Sequence, residues 1–175
     1  MVATMIAMKR LFLLRHAKSS RKDSSLPDRD RPLAGRGRRA SRAMASYMRE
    51  HAIEPALVLC SPAARARQTL DGVAPGLGGL PEVRIEPCLY EASAAGLLSR
   101  LQRVGDDVPS VMLIGHNPAM ERLALDLANG GPGLADLGEK YPTGALAILE
   151  FGGAWRGLEP DSARLVEFVK PRDLE

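Results

Sequence analysis

The chain has 175 residues, 45% of them hydrophobic and 26% charged, which is the composition of one globular domain able to bury about 70% of its unfolded surface. No apolar stretch approaches the ~20 residues that a membrane-spanning helix needs, so a membrane partner is not expected. The net charge is only +3, and with 4% aromatic residues and no helix-turn-helix, zinc-finger or RNA-binding motif, nucleic acid is not expected either, although Arg29, Arg31, Arg36, Arg38, Arg39 and Arg42 crowd one stretch.

Residues 1–8 read as a flexible leader ahead of a single domain over 9–175. The positive charges Lys9 and Arg10 follow the apolar residues, the wrong order for a secretory signal. A buried strand, Leu11 to Leu14, then runs into Arg15-His16. The polar stretch Ala17 to Leu33, broken by Pro27 and Pro32, reads as a long loop of the kind that carries function. Ala40, Ala43, Met44, Tyr47 and Met48 recur at helical spacing and predict an amphipathic helix from about Gly35 to His51, its arginines outward.

Leu57 to Cys60 is the second strand. Ser61-Pro62 reads as an N-cap with proline at the first helical position, opening a helix through about Val73. A short strand Val83 to Ile85 follows, then a helix marked by Leu97, Leu98, Leu101 and Val104. Strand Ser110 to Ile114 ends in Gly115-His116, and Asn117-Pro118 again reads as a cap opening a helix, with Met120, Leu123, Ala124, Leu127 and Ala128 as its buried stripe. Leu134 to Pro142 fits a loop or a short helix. Ala145 to Phe151 and Ala163 to Val169 read as an antiparallel pair around a glycine-rich turn with Trp155 near its tip.

This alternation predicts an α/β fold, a three-layer α/β/α sandwich whose mostly parallel central sheet has an antiparallel edge. Cys60 and Cys88 have no zinc or Cys-x-x-Cys spacing, and read as buried reduced thiols of a cytoplasmic protein.

Two of the three histidines stand at strand ends, where open α/β sheets place their active sites. His16, beside the permanent cation Arg15, is expected to stay neutral and therefore nucleophilic, and neutral imidazole can attack phosphorus. Taken alone, it reads as readily as a structural strand-end histidine. Arg15, at the sheet rim, and Arg65, in the first turn of the second helix, suit bidentate contact with a phosphoryl group. His116, next to a helix start, is placed to stabilise an oxyanion. Four such residues at three strand ends point to phosphoryl transfer through a covalent phosphohistidine.

Leu13-Leu14-Arg15-His16-Ala17, Cys60-Ser61-Pro62-Ala63-Ala64-Arg65-Ala66-Arg67-Gln68-Thr69 and Ile114-Gly115-His116-Asn117-Pro118 resemble, in order, the motifs of the histidine phosphatase superfamily with its Arg-His-Gly signature. Ala17 replaces the usual glycine, which preserves the site if the backbone there avoids positive φ. Asp28-Arg29-Asp30-Arg31-Pro32-Leu33 resembles the small bacterial phosphohistidine phosphatases of SixA type, and the likeness runs from about Lys9 to Val169.

The resemblance implies a phosphoglycerate mutase-like fold and no cofactor or metal. It also implies His16 as nucleophile, Arg15 and Arg65 as the phosphoryl clamp, His116 as stabiliser, and Arg31 as a further contact, against the ordinary reading of Arg31 as a partner of Asp28 or Asp30. Ser61 and Asn117 are candidate substrate-binding residues. Glu91 is a candidate proton donor or merely a rim carboxylate. The expected substrate is a phosphorylated histidine-containing protein, with phosphate anion in the pocket. A small-molecule phosphomonoesterase of the same fold and a non-catalytic phosphate-binding module are the alternatives. With 51 positions from Arg65 to His116 filled by helix, strand and helix, little chain is left for a lid.

Overall fold

The computed structural model describes residues 7–175. β1 (Met8–Arg15), β2 (Leu57–Cys60), β3 (Glu82–Ile85), β4 (Ser110–Gly115), β5 (Leu146–Gly152) and β6 (Arg164–Val169) form one sheet in the order β3-β2-β4-β1-β5-β6. β3, β2, β4 and β1 run parallel, while β5 lies antiparallel to both β1 and β6. The expected antiparallel edge is thus present, and β1 starts one residue before the expected domain boundary. The rest of the expected leader, residues 1–6, lies outside the described residues.

The apolar runs of β1, β2 and β4 show no polar alternation because both of their faces are covered. Phe12 and Leu14 of β1 pack with Met44, Met48, Ala66 and Val73 of α1 (Gly35–Glu50) and α2 (Ala64–Val73). Leu11 and Leu13, one residue out of phase, pack with Leu97, Leu101, Met120 and Leu123 of α3 (Ala94–Gln102) and α4 (Ala119–Leu127). A short α5 (Leu134–Glu139) occupies the stretch read as loop or short helix. Among the described residues no helix is long and apolar enough to cross a membrane.

α1 ends at Glu50 with His51 as its C-cap, close to the expected end, and His51 is stacked on Tyr47 with ring centroids 4.0 Å apart. Two local readings, of Cys88 and of Ser61, are corrected. Trp155 lies in the β5–β6 connection, as expected. It is fully buried edge-on to Phe151, and its indole N–H donates to the Val108 carbonyl, which satisfies the one polar atom that its burial would strand. Cys60 is buried as expected, but Cys88 is exposed; both are free thiols. Ser61 does not cap α2, which begins at Ala64 with Ala63 as its N-cap residue.

The sheet places the site. In register, Arg15 pairs with Gly115 and Cys60 with Ile114, so the residues that follow β1, β2 and β4 emerge side by side at one edge. The His16 N–H donates to the Gly115 carbonyl (3.0 Å) and the Ser61 N–H to the Ile114 carbonyl (3.0 Å), which extends the ladder into the loops. β1 and β4 are neighbours whose following helices, α1 and α4, cover opposite faces. A crevice opens where the connections diverge.

Candidate active site

His16 and His116 face each other in that crevice, their ring centroids 5.1 Å apart. His16 is only 7% exposed, and its Nδ1 lies 2.7 Å from the carbonyl oxygen of Ala17. A carbonyl has no hydrogen to give, so Nδ1 carries the proton and Nε2 is left with its lone pair. Burial pushes the His16 imidazole down to about 3, with His116, Arg65 and Arg15 adding to the effect and the Ala17 carbonyl opposing it. The expected neutrality is present, but desolvation rather than the adjacent arginine leads it. Ala17 is not among the residues with positive φ, so its departure from glycine brings no backbone strain.

His116 Nε2 lies 2.7 Å from Ser61 Oγ, which also accepts from the Ala63 N–H at 3.3 Å. His116 Nε2 is the one acceptor among the described residues for the buried Ser61 O–H, so the hydroxyl donates to Nε2 and the proton of His116 belongs on Nδ1. That Nδ1 is buried and has no partner among the described residues, and neither has Nε of Arg15. Buried polar atoms are nearly always paired, so two orphans in one crevice mark where an outside group enters. Burial, followed by the charge of Arg65, holds His116 down at about 4.

Arg15 is anchored by Nη1 donating to the Tyr141 carbonyl (2.7 Å), while the Tyr141 hydroxyl donates to the Leu13 carbonyl. Arg65, 8% exposed, donates from Nη1 to the Asp28 carbonyl (2.8 Å) and from Nη2 to Asp28 Oδ2 (3.0 Å). α2 ties this arginine to the nucleophile. Thr69 Oγ1 donates back to the Arg65 carbonyl (2.7 Å) and accepts from the Ala17 N–H (2.9 Å), while Gln68 Oε1 accepts from the Leu33 N–H (2.8 Å) at the end of the β1–α1 loop. The spacing of Arg65, Gln68 and Thr69 is that of one helix face.

The structure gives several candidate residues other work. Arg31 pairs with Asp28 Oδ1 (2.9 Å) and also holds Ser19 Oγ and the Ser20 carbonyl, so the ion pair of its ordinary reading is present, on a side chain that is largely buried. The pair is nevertheless part of the crevice, because Asp28 bridges Arg31 and Arg65. Ser61 and Asn117, expected to touch substrate, both form hydrogen bonds within the protein, and Asn117 is half-buried on the lining of the hollow beside His116. Ser61 is fully buried against His116. Asn117 accepts from the Glu121 N–H through Oδ1 (3.2 Å) and donates from Nδ2 to the Tyr141 carbonyl (3.2 Å), which steadies the anchor of Arg15. Glu91 is exposed on the rim of a shallow hollow of about 430 Å³ beside His116, and has no hydrogen bond among the described residues.

Two residues were missed. Asp28, in a single helical turn over Asp28–Asp30, accepts from the Tyr90 hydroxyl (2.5 Å) as well as from both arginines. Those bonds, Tyr90's first, bring its carboxyl down to about 2. Tyr90 lies edge-on to His116 at 5.6 Å. The signals were present in sequence, but Asp28 was read only as a partner of Arg31 and Tyr90 only as the neighbour of Glu91.

Residues 11–141 match the family model of the histidine phosphatase superfamily, branch 1. An uncharacterized protein of Mycobacterium tuberculosis strain H37Rv is 38% identical over 163 residues, covering 91% of this chain and 100% of the relative. The phosphohistidine phosphatase SixA of Escherichia coli K12 is 34% identical over 122 residues, 69% of this chain and 74% of that protein. A solved structure of the protein histidine phosphatase SixA in complex with tungstate superposes with a TM-score of 0.74 at 26% identity, covering 95% of this chain and 99% of that one. The chain is a member of the histidine phosphatase superfamily, branch 1.

Proposed function

We propose that this protein hydrolyses phosphohistidine on other proteins through a phosphoenzyme intermediate on His16. The observation that carries this reading is the nucleophile without an acid. His16 presents an unprotonated Nε2, yet among the described residues no protonated carboxyl is bonded to it: the Asp28 carboxyl is held down at about 2, and Glu91 is exposed and forms no hydrogen bond. An alkoxide leaving group needs a proton donor. Phosphohistidine brings its own, because an imidazole protonated on its distal nitrogen departs as a neutral ring. A small-molecule phosphomonoesterase is the weaker reading for that reason.

In the first step the Nε2 lone pair of His16 attacks phosphorus, the substrate's P–N bond breaks, and its electrons return to the leaving imidazole. The phosphorylated His16 ring is cationic, and the Ala17 carbonyl at its Nδ1–H stabilises it. In the second step water attacks phosphorus, the new P–N bond breaks, and dihydrogen phosphate leaves with His16 again neutral. Arg15, Arg65 and the Nδ1–H of His116 receive the phosphoryl oxygens, and the tungstate held by the SixA relative is an oxyanion of similar shape. Arg31 acts at one remove, by orienting Asp28. The chemistry asks for no cofactor, and the two free thiols suit a cytoplasmic location.

The test is kinetic. A phosphorylated histidine carrier domain is expected to be turned over at least ~100-fold more efficiently than a panel of alkyl phosphate esters, and Glu91→Gln to change the carrier rate less than about twofold. Quenching in alkaline detergent should leave label on His16 that is stable in base and lost in acid. A preference for an ester, with collapse in Glu91→Gln, would assign the site to small phosphomonoesters instead, and binding without any labelled enzyme would make it a phosphate-binding module.

A further inference from the structure

We infer that the first turns of α1, together with the groove beside them, form a docking surface for an acidic face of the phosphohistidine-bearing protein. This rests on the function proposed above and names the kind of partner it requires.

The argument starts from an arrangement that costs stability. The positive end of a helix dipole favours acidic residues, yet the first turn of α1 contains none and carries Arg36 and Arg38, with Arg39 and Arg42 following. Arg36 and Arg39, like Arg38 and Arg42, are helix neighbours of like charge. All four are exposed. Among the described residues eight ion pairs form elsewhere in the molecule, and none includes an α1 arginine. Arg38 donates to the Leu33 carbonyl (2.8 Å), but among the described residues no carboxylate accounts for the row, and burial does not either.

The row is fixed close to the nucleophile. α1 starts at the same sheet edge from which His16 emerges. Its Gly37 sits so tightly on the preceding loop that a methyl group there would fall 2.1 Å from the Lys18 carbonyl oxygen. Lys18 is two residues from His16, at most about 7.6 Å between Cα atoms. It lines a groove of about 580 Å³ with Arg36, Lys140, Thr143 and Lys170. Lys170 is buried and paired with Asp136 at 2.9 Å, whereas Lys18, Arg36 and Lys140 are exposed and have no carboxylate partner among the described residues. Glu139 and Glu175 also line the groove, yet cations outnumber acids there, and the α1 row outside it is uniformly basic.

A phosphohistidine reaches only a few bond lengths beyond its own backbone, so a protein delivering one to a nearly buried His16 must lay its surface on this rim. The opposite rim, with Tyr90, Ala92, Pro118 and Ala119, carries the exposed carboxylate of Glu91, and the arginine that lines it, Arg122, is paired with Asp126 at 2.9 Å. One basic and one acidic rim orient an acidic partner. Nucleic acid fits worse, since no aromatic side chain lines the groove to stack on a base.

The test compares the double variant Arg36→Glu/Arg39→Glu with wild type on two substrates, a strongly acidic phosphorylated histidine carrier protein and free N-phosphohistidine. For the carrier, kcat/KM is expected to fall by ~10-fold or more at low salt, and for the free amino acid to stay within about twofold. The wild-type rate on the carrier should drop steeply with added salt, and the variant's should not. The thermal midpoint should rise, because acid replaces base at the helix start, so lost activity cannot be ascribed to unfolding. Arg36→Gln/Arg39→Gln should lie between the two. Equal losses on both substrates, no loss on the carrier, or duplex DNA that binds the wild type more tightly than the carrier would each overturn the docking surface. Should wild type hydrolyse neither phosphohistidine substrate, the proposed chemistry fails separately. Calorimetric titration of the unphosphorylated carrier then decides docking by itself: binding lost in the variant sustains the surface, and absent or unchanged binding removes it.

Discussion

The two ends of the parallel strands handle buried polarity in opposite ways. At the N-terminal end each such group is matched: Lys9 donates to the Asp106 carbonyl, Ser110 Oγ to the Glu54 carbonyl while accepting from the Ala56 N–H, and the indole of Trp155 to the Val108 carbonyl. At the C-terminal end, two histidines forced neutral and two guanidiniums share one crevice, and Arg15 Nε and His116 Nδ1 are left unmatched. Stability is assembled at one end. The other end gives some of it up by leaving buried donors unpaired in a crevice.

The widest separation of the two ends is expected from His16→Ala. It should cut turnover by at least ~1,000-fold and abolish the phosphoenzyme while leaving the fold intact, as read by single-turnover labelling and circular dichroism. Retained turnover would break the distinction. The converse is Trp155→Ala, which empties a fully buried site and should cost about 3–5 kcal/mol in urea unfolding, with kcat unchanged in the fraction that remains folded.

Acid sharpens the comparison further. Both imidazoles have folded values, about 3 and about 4, below the ordinary 6.5, so below pH 6.5 the unfolded chain takes up protons that the folded one refuses. Their stability contribution is complete above 6.5 and is lost as pH falls toward the folded values. Each histidine steepens the loss by up to about 1.4 kcal/mol per pH unit. Unfolding midpoints from pH 7 to 4.5 should flatten in His116→Gln, and a slope unaltered by that change would remove the histidines as the cause.

Much of this was legible because it is local. Apolar runs that end in Arg15-His16, Cys60-Ser61 and Gly115-His116 declare buried strands delivering polar groups to one edge, and parallel register does the rest. What escaped depends on contacts across the chain. Asp28 and Tyr90 are 62 positions apart and meet only after the β1–α1 loop folds over α2. Ser61 looked like a helix cap because Ser-Pro usually is one, but the helix begins later and the hydroxyl turns toward His116. The bond from Asn117 to Tyr141 escaped as well, because Tyr141 lay in the stretch whose conformation the sequence left open.

The Asp28 bridge has a consequence for turnover. A phosphate arriving at Arg65 meets a guanidinium already neutralised by a carboxylate, so affinity for the resting anion is discounted, and the departing product is not trapped. Asp28→Asn, with that repulsion removed, is expected to be inhibited by inorganic phosphate a few-fold more strongly than wild type. An enzyme working amid abundant cellular phosphate thereby avoids being clogged by what it releases.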